Sequence, residues 1–127
     1  MFSAALELPP QPWTLAVCRG LLEQLLVLAC VERRIADDLA IALTEVCGNV
    51  VRHAAVAGVY RVEIGVDDRQ CVIRVRDRGP GFDPDRVEVT DADLGGRGLV
   101  VMRAVLDDMR IEACRPGTEV TMIKRVP

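Results

Sequence analysis

A chain of 127 residues with a formal net charge of -3 has the size of one ordinary domain with a single core. Half of its residues are hydrophobic, which excludes an intrinsically disordered chain. The negative net charge argues against a nucleic-acid-binding surface. We therefore expect residues 1–127 to form a single domain that does not bind nucleic acid.

The five cysteines are scattered along the chain, are odd in number and include no Cys-x-x-Cys pair. This usage is typical of free thiols in a reducing cytosol. The N-terminus has no basic segment followed by a long apolar run, and the apolar stretch 25–31 is too short to cross a membrane. The sequence therefore predicts a cytoplasmic protein that does not associate with a membrane.

The first half of the chain predicts one strand followed by two helices. Residues 2–8 read as a strand, which the prolines from Pro9 onward end. In both 13–30 and 35–57, apolar residues recur at steps of three and four, which is typical of a helix with one buried side. Gly58 is expected to end the second helix.

The second half predicts two hairpins. Residues 60–66 and 71–76 alternate between apolar and polar side chains, and a short polar turn joins them. Residues 109–113 and 118–125 form a second pair of strands. With a third helix at 97–108, these elements predict an α+β fold, a two-layer α/β sandwich. Its sheet is expected to be mixed but largely antiparallel, with three helices on one face and the other face open.

Glu45, Asn49 and His53 are spaced by four residues and therefore share one ridge of the second helix. By the helical step, this ridge borders the apolar side of the helix, so its polar groups can face a pocket while the helix stays packed. The alternative is a solvated polar stripe that carries one capped histidine.

Asp77 lies in phase with the apolar side chains of the strand 71–76 and is followed by Arg78-Gly79-Pro80-Gly81. A carboxylate at the end of an apolar face needs hydrogen-bond donors, and the amine of an adenine ring is one candidate. Gly79 and Gly81 allow the backbone to pass close to a ligand. The alternative is an ordinary Gly-Pro-Gly turn in which Asp77 is a turn-forming acid.

A second glycine cluster, Gly95, Gly96 and Gly98, precedes the third helix. Backbone amides at a helix N-terminus bind phosphate without a lysine. The cluster is neither a Walker A loop nor a dinucleotide fingerprint, because both patterns require residues that are missing here. Arg97 is placed either to reach a triphosphate or to face solvent. The polar loop 80–94 has the length of a functional lid or of a plain mobile loop.

The order of these three segments resembles the N, G1 and G2 boxes of the GHKL superfamily of ATP-binding proteins, which share the Bergerat fold. Each box alone is a weak signal, but three boxes in order at compatible spacing are a strong one. The residues of these boxes and the small size of the chain most resemble the anti-sigma serine/threonine kinases of partner-switching systems. The resemblance implies ATP and Mg²⁺ as cofactors. It assigns Glu45 as the catalytic base and Asn49 as the magnesium ligand. Nucleotide contacts are implied for Asp77, Gly79, Gly81, Gly95, Gly96, Arg97, Gly98 and Thr118, of which Thr118 supports Asp77.

Proteins of this kind phosphorylate a small antagonist protein on serine or threonine and hold a sigma factor, or a similar target, in an inactive complex. Many form homodimers, which the resemblance therefore favours here. Two alternatives stay open: a non-catalytic, nucleotide-dependent protein-binding module, and a detached catalytic domain of a histidine kinase. A gyrase-type ATPase is less favoured, because it needs a second domain that supplies a lysine to the triphosphate.

Overall fold

The computed structural model describes residues 1–53, 58–78, 98–114 and 117–127. Within these ranges five strands and three helices follow one another in the predicted order. They are β1 (Phe2–Leu8), α1 (Thr14–Leu28), α2 (Arg33–His53), β2 (Tyr60–Val66), β3 (Gln70–Arg76), α3 (Gly98–Val105), β4 (Asp108–Ala113) and β5 (Thr118–Arg125). No helix in the described ranges is long and apolar enough to cross a membrane.

The five strands form one sheet in the order β1-β2-β3-β5-β4. All four pairings in the described part of the chain are antiparallel, whereas the sequence predicted a mixed sheet. The reason lies in where β5 inserts. β3 and β4 run in the same direction, but β5 lies between them and pairs antiparallel with both. The predicted α+β sandwich is otherwise confirmed.

The core lies between the sheet and the helices, as the alternation of the strands predicted. In β2 and β3 every second side chain is buried, and the cross-strand pair Ile64 and Ile73 is at most 1% exposed. In α2 the buried side chains recur along one side, which confirms the apolar stripe as far as His53. Two predicted members of this stripe, Ala54 and Ala57, lie outside the described residues.

The third helix ends three residues earlier than the sequence predicted, at Val105 rather than Asp108. The residues that follow the helix form hydrogen bonds with β5 instead. The backbone N–H of Asp107 donates to the carbonyl oxygen of Ile123 at 2.9 Å, and the Asp107 carboxylate accepts from the N–H of Arg125 at 2.6 Å. Pairing with a neighbouring strand therefore replaces further helical hydrogen bonds at this point.

Lys124, the one lysine in the chain, joins three elements. Its ammonium donates to the carbonyl oxygen of Val105 at the end of α3 and lies 3.3 Å from the carboxylate of Asp38 in α2. Its side chain is only 15% exposed, so this ion pair is screened less than a surface pair. Lys124 in β5 thus fixes the end of α3 against α2.

Candidate functional site

The predicted ridge of α2 lies at the edge of the core. Asn49 is buried, with 6% of its surface exposed, Glu45 is half-buried and His53 is exposed. The neighbouring positions Val46 and Val50 are buried in the core. The burial of these side chains places Asn49 and Glu45 where the helix meets the core, as the helical step predicted, and His53 towards solvent.

The side-chain oxygen of Asn49 faces a positive charge. Arg52, one turn further along α2, donates a hydrogen bond from its guanidinium to Asn49 Oδ1. An amide oxygen is a hard ligand of the kind that magnesium prefers, and here it already accepts from a cation. The residues present therefore fit a cation at this oxygen. Sequence reasoning missed Arg52, although its spacing of three from Asn49 places the two side chains together on a helix.

Asp77 and Thr118 are direct neighbours at one end of the sheet. The backbone N–H of Asp77 donates to the carbonyl oxygen of Thr118 at 3.0 Å and so extends the β3–β5 ladder by one position. Both side chains are half-buried and lie in phase with the buried side chains of Val75 and Val120. Asp77 thus has the inward phase that the sequence predicted. Side chains at opposed positions of two strands lie close enough to interact.

Gly117 holds this corner together and was missed as a positioning residue. Its φ is +108°, a backbone conformation that residues other than glycine rarely adopt. A Cβ at this position would stand 2.7 Å from the carbonyl carbon of Asp77, still closer to its oxygen, and 3.0 Å from the Cα of Arg78. The Asp77 backbone can therefore sit where it does only because residue 117 has no side chain. A Pro-Gly pair in the sequence indicates a turn, but not which backbone passes over it.

Behind the ridge, a buried polar cluster connects α1 with α2. Cys47, between Glu45 and Asn49 in sequence, points into the core, and its hydrogen bond with Cys18 lowers the pKa of Cys18 to about 7. The same hydrogen bond and burial raise the pKa of Cys47 well above its usual value. The hydroxyl oxygen of Tyr60 lies 2.6 Å from Thr14 Oγ1 and 3.7 Å from Cys18 Sγ. The inner side of α2 is thereby fixed beneath Asn49.

The glycine boxes fall largely outside the described residues. This holds for Gly79, Gly81 and the loop 80–94, and for Gly95, Gly96 and Arg97. Gly98 is described as the first residue of α3, and α3 packs against α2. The structure thus places Asn49 and Glu45 on one helix, Asp77 opposite Thr118 just beyond the end of β3, and the start of α3 at Gly98, the last residue of the second glycine cluster.

A sequence profile of the histidine kinase-like ATPase domain matches residues 8–124. The chain belongs to the histidine kinase-like ATPase domain family. The resemblance stated from the three boxes is therefore confirmed at the level of the family, and the matched range includes all of the predicted site residues.

Among the relatives of this family member are serine-protein kinases called RsbW. RsbW from Bacillus licheniformis is 35% identical in an alignment of 102 residues, and the match covers 69% of this chain and 63% of the relative. RsbW from Bacillus subtilis is 30% identical in an alignment of the same length, with the same coverage. An anti-sigma F factor from Clostridium acetobutylicum is 27% identical in an alignment of 99 residues, and the match covers 70% of this chain and 69% of that protein. The chain thus matches less than two thirds of the length of the RsbW relatives.

Solved structures share the fold of this ATPase domain. A structure of the RsbU and RsbW domains of a Mycobacterium tuberculosis protein aligns with a TM-score of 0.79 and covers 99% of this chain and 33% of that one, at 19% identity. The mycobacterial sensor histidine kinase MprB aligns with a TM-score of 0.51 and covers 72% of each chain, also at 19% identity. At this identity the likeness concerns the arrangement of strands and helices.

Proposed function

We propose that residues 1–127 form one ATP-binding domain that acts as a serine/threonine protein kinase on a small antagonist protein and sequesters a sigma factor or a similar target. The observation that carries the proposal is the corner at the end of β3. There Asp77 is held opposite Thr118 by a backbone close approach that only Gly117 permits. Family membership and the names of the RsbW relatives support the same reading.

Asp77 accepts the hydrogen bond of the adenine amine in this proposal. Its carboxylate ends the helix-covered face of β3, and a half-buried charge in that position needs a donor from a ligand or a neighbour. Thr118, on the adjacent strand, orients the carboxylate through its hydroxyl. Gly79 and Gly81, which lie outside the described residues, are proposed to let the backbone approach the base because neither has a side chain.

Asn49 provides the protein oxygen for magnesium. When bound, the ion neutralises charge on the phosphate oxygens and needs few protein ligands, because phosphate and water complete its coordination. The buried amide oxygen of Asn49 already accepts from a cation, as described above. The amides of Gly95, Gly96 and Gly98 hold the phosphates at the start of α3, and Arg97 adds a positive charge there.

Glu45 is the base. It is half-buried and lies one helical turn before Asn49, on the same ridge of α2. As the serine or threonine hydroxyl of the antagonist attacks the terminal phosphate, Glu45 takes the hydroxyl proton, and the bond to the departing ADP breaks. The reaction needs mostly positioning and charge neutralisation, which this small set of residues supplies.

The partners are proposed from the relatives. RsbW is named a serine-protein kinase and the Clostridium relative an anti-sigma F factor, which supports an antagonist protein and a sigma factor as the partners of this chain. We place the protein in the cytoplasm, where sigma factors act, and expect it to work as a homodimer. It needs neither nucleic acid nor a membrane for these interactions.

The test combines ATP binding with phosphate transfer to a protein that copurifies with the chain from its source cell. Glu45→Gln is expected to lower transfer by about 100-fold or more while ATP affinity changes little, because the base acts on the hydroxyl and not on ATP. The matched control is Glu23→Gln, an exposed carboxylate of α1, which leaves both quantities unchanged. ATP binding without labelling of any copurified protein would favour the non-catalytic module. An absence of ATP binding would refute the site itself.

A further inference from the structure

The guanidinium of Arg52 is hydrogen-bonded to the oxygen that the proposed function assigns to magnesium. Arg52 donates to Asn49 Oδ1, and the Asn49 side chain is 6% exposed whereas Arg52 is exposed. A buried amide oxygen that accepts from a charged donor forms a stronger hydrogen bond than one that accepts from a neutral group. Arg52 therefore places a cation of the chain itself at this oxygen.

The local sequence lets Arg52 reach Asn49. A side chain three residues further along a helix reaches back over the preceding turn. Residue 48, one turn before Arg52, is a buried glycine, and a Cβ there would stand 3.5 Å from Arg52 Nη1, at ordinary contact distance. The bare Gly48 thus leaves room for the guanidinium beside the helix, and any branched or longer side chain at this position would compete for that room.

We propose that Arg52 is a resident cation that magnesium must displace, so that this residue sets how strongly the nucleotide complex holds its metal. The inference rests on the proposed assignment of Asn49 as the magnesium ligand. Two cations cannot share one amide oxygen at close range without strong repulsion. Metal entry therefore breaks the Arg52–Asn49 hydrogen bond, and part of the metal's binding free energy is spent on that exchange. Without the metal, Arg52 stays hydrogen-bonded to Asn49, and its positive charge partly takes the place of the metal's charge.

The quantity that isolates this effect is the ratio of the ATP dissociation constant in a chelator to that in saturating Mg²⁺. By linkage, this ratio compares the metal affinity of the protein–ATP complex with that of free ATP, so chelation of metal by ATP itself cancels. Arg52→Met removes the charge and keeps a long side chain. We expect this variant to raise the ratio about tenfold or more, since a charged hydrogen bond no longer opposes the metal.

Two further variants complete the calorimetric experiment. Arg52→Lys retains a cation within reach of Asn49 and should keep the ratio closer to that of the parent than Arg52→Met does. Arg34→Met removes the same charge from an exposed position about 27 Å away along α2 and should leave the ratio unchanged. Thermal melts of all variants establish that they are folded, as expected for exposed side chains.

The outcomes separate this inference from the proposed function. A larger ratio in Arg52→Met alone supports a resident cation. An unchanged or smaller ratio overturns it, because Arg52 then does not oppose the metal. An equal increase in Arg34→Met also overturns it, since the effect would come from net charge. If Asn49→Ala leaves the ratio of the parent unchanged, the assignment of Asn49 falls and this inference falls with it. If Asn49→Ala lowers the ratio and Arg52→Met does not differ from the parent, only this inference fails.

Discussion

Gly117→Ala should damage the proposed adenine site more than it damages the fold. The new Cβ would stand 2.7 Å from the carbonyl carbon of Asp77 and closer still to its oxygen, so the Asp77 carbonyl must move by well over about 0.7 Å before ordinary contact begins at 3.4 Å. The φ of +108° adds strain of roughly 1–3 kcal/mol for alanine. Separation of the strands also weakens the hydrogen bond from Asp77 N–H to Thr118, worth about 1 kcal/mol. We expect a total loss of about 2–4 kcal/mol in the free energy of unfolding.

The same movement displaces the Asp77 carboxylate from its ligand. Loss of a charged hydrogen bond of about 1.5–3 kcal/mol corresponds to a fall in ATP affinity of roughly tenfold to a hundredfold. Urea titration gives the stability and calorimetry, at a temperature where the variant is folded, gives the affinity. Gly20→Ala is the matched control: Gly20 is exposed within α1, a Cβ there has no atom within 4 Å, and alanine should stabilise the helix by about 1 kcal/mol. A folded Gly117→Ala variant with parental ATP affinity would refute the positioning role.

Two further substitutions test local features away from the site. Cys30 follows α1 with a φ of 56°, so Cys30→Gly should relieve left-handed strain. After the entropic cost of glycine is subtracted, we expect the free energy of unfolding to rise by about 0.5–1 kcal/mol. Equal stability of Cys30→Gly and Cys30→Ala in urea would contradict this reasoning. At the β2–β3 turn, the backbone N–H groups of Gln70 and Arg69 lower the pKa of Asp67 below its usual 3.8. Because the folded pKa is depressed, the charge contributes stability above pH 3.8 that is lost as pH falls through the folded pKa. The stability advantage of the parent over Asp67→Asn should therefore shrink below pH 3.8, and urea titrations that show a constant difference down to pH 2.5 would contradict it.

The sequence predicts most of this fold because the strands alternate cleanly. Strands β1, β2 and β5 have the predicted bounds: β1 and β2 have apolar side chains at every second position, and β5 has the apolar pair Val120 and Met122 in one phase and follows a Pro-Gly turn signal. The inward phase of Asp77 follows from the same period of two, and the ridge position of Asn49 from the helical step. These features are local, so a single sequence contains the information that fixes them.

What the sequence does not predict depends on contacts between distant segments. Gly117 and Asp77 are 40 residues apart, and their close approach follows only once β5 is known to lie beside β3. The early end of α3 has the same origin, because β5 takes the backbone groups of Asp107. Arg52 is close to Asn49 in sequence, but the spacing alone does not predict which of several polar neighbours accepts the hydrogen bond of the arginine.

The position of β5 also has a consequence for the order in which the protein can be made. β5, the last of the described strands, is not at an edge but in the interior of the sheet, between β3 and β4. During synthesis, β3 therefore leaves the ribosome before the strand that pairs with one of its edges has been made. A stop codon shortly before residue 118 removes β5 and leaves the facing edges of β3 and β4 without their shared partner strand. Such a fragment is a substrate for chaperones and proteases, so loss of β5 should lower the amount of protein in the cell before any effect on ATP binding can be seen.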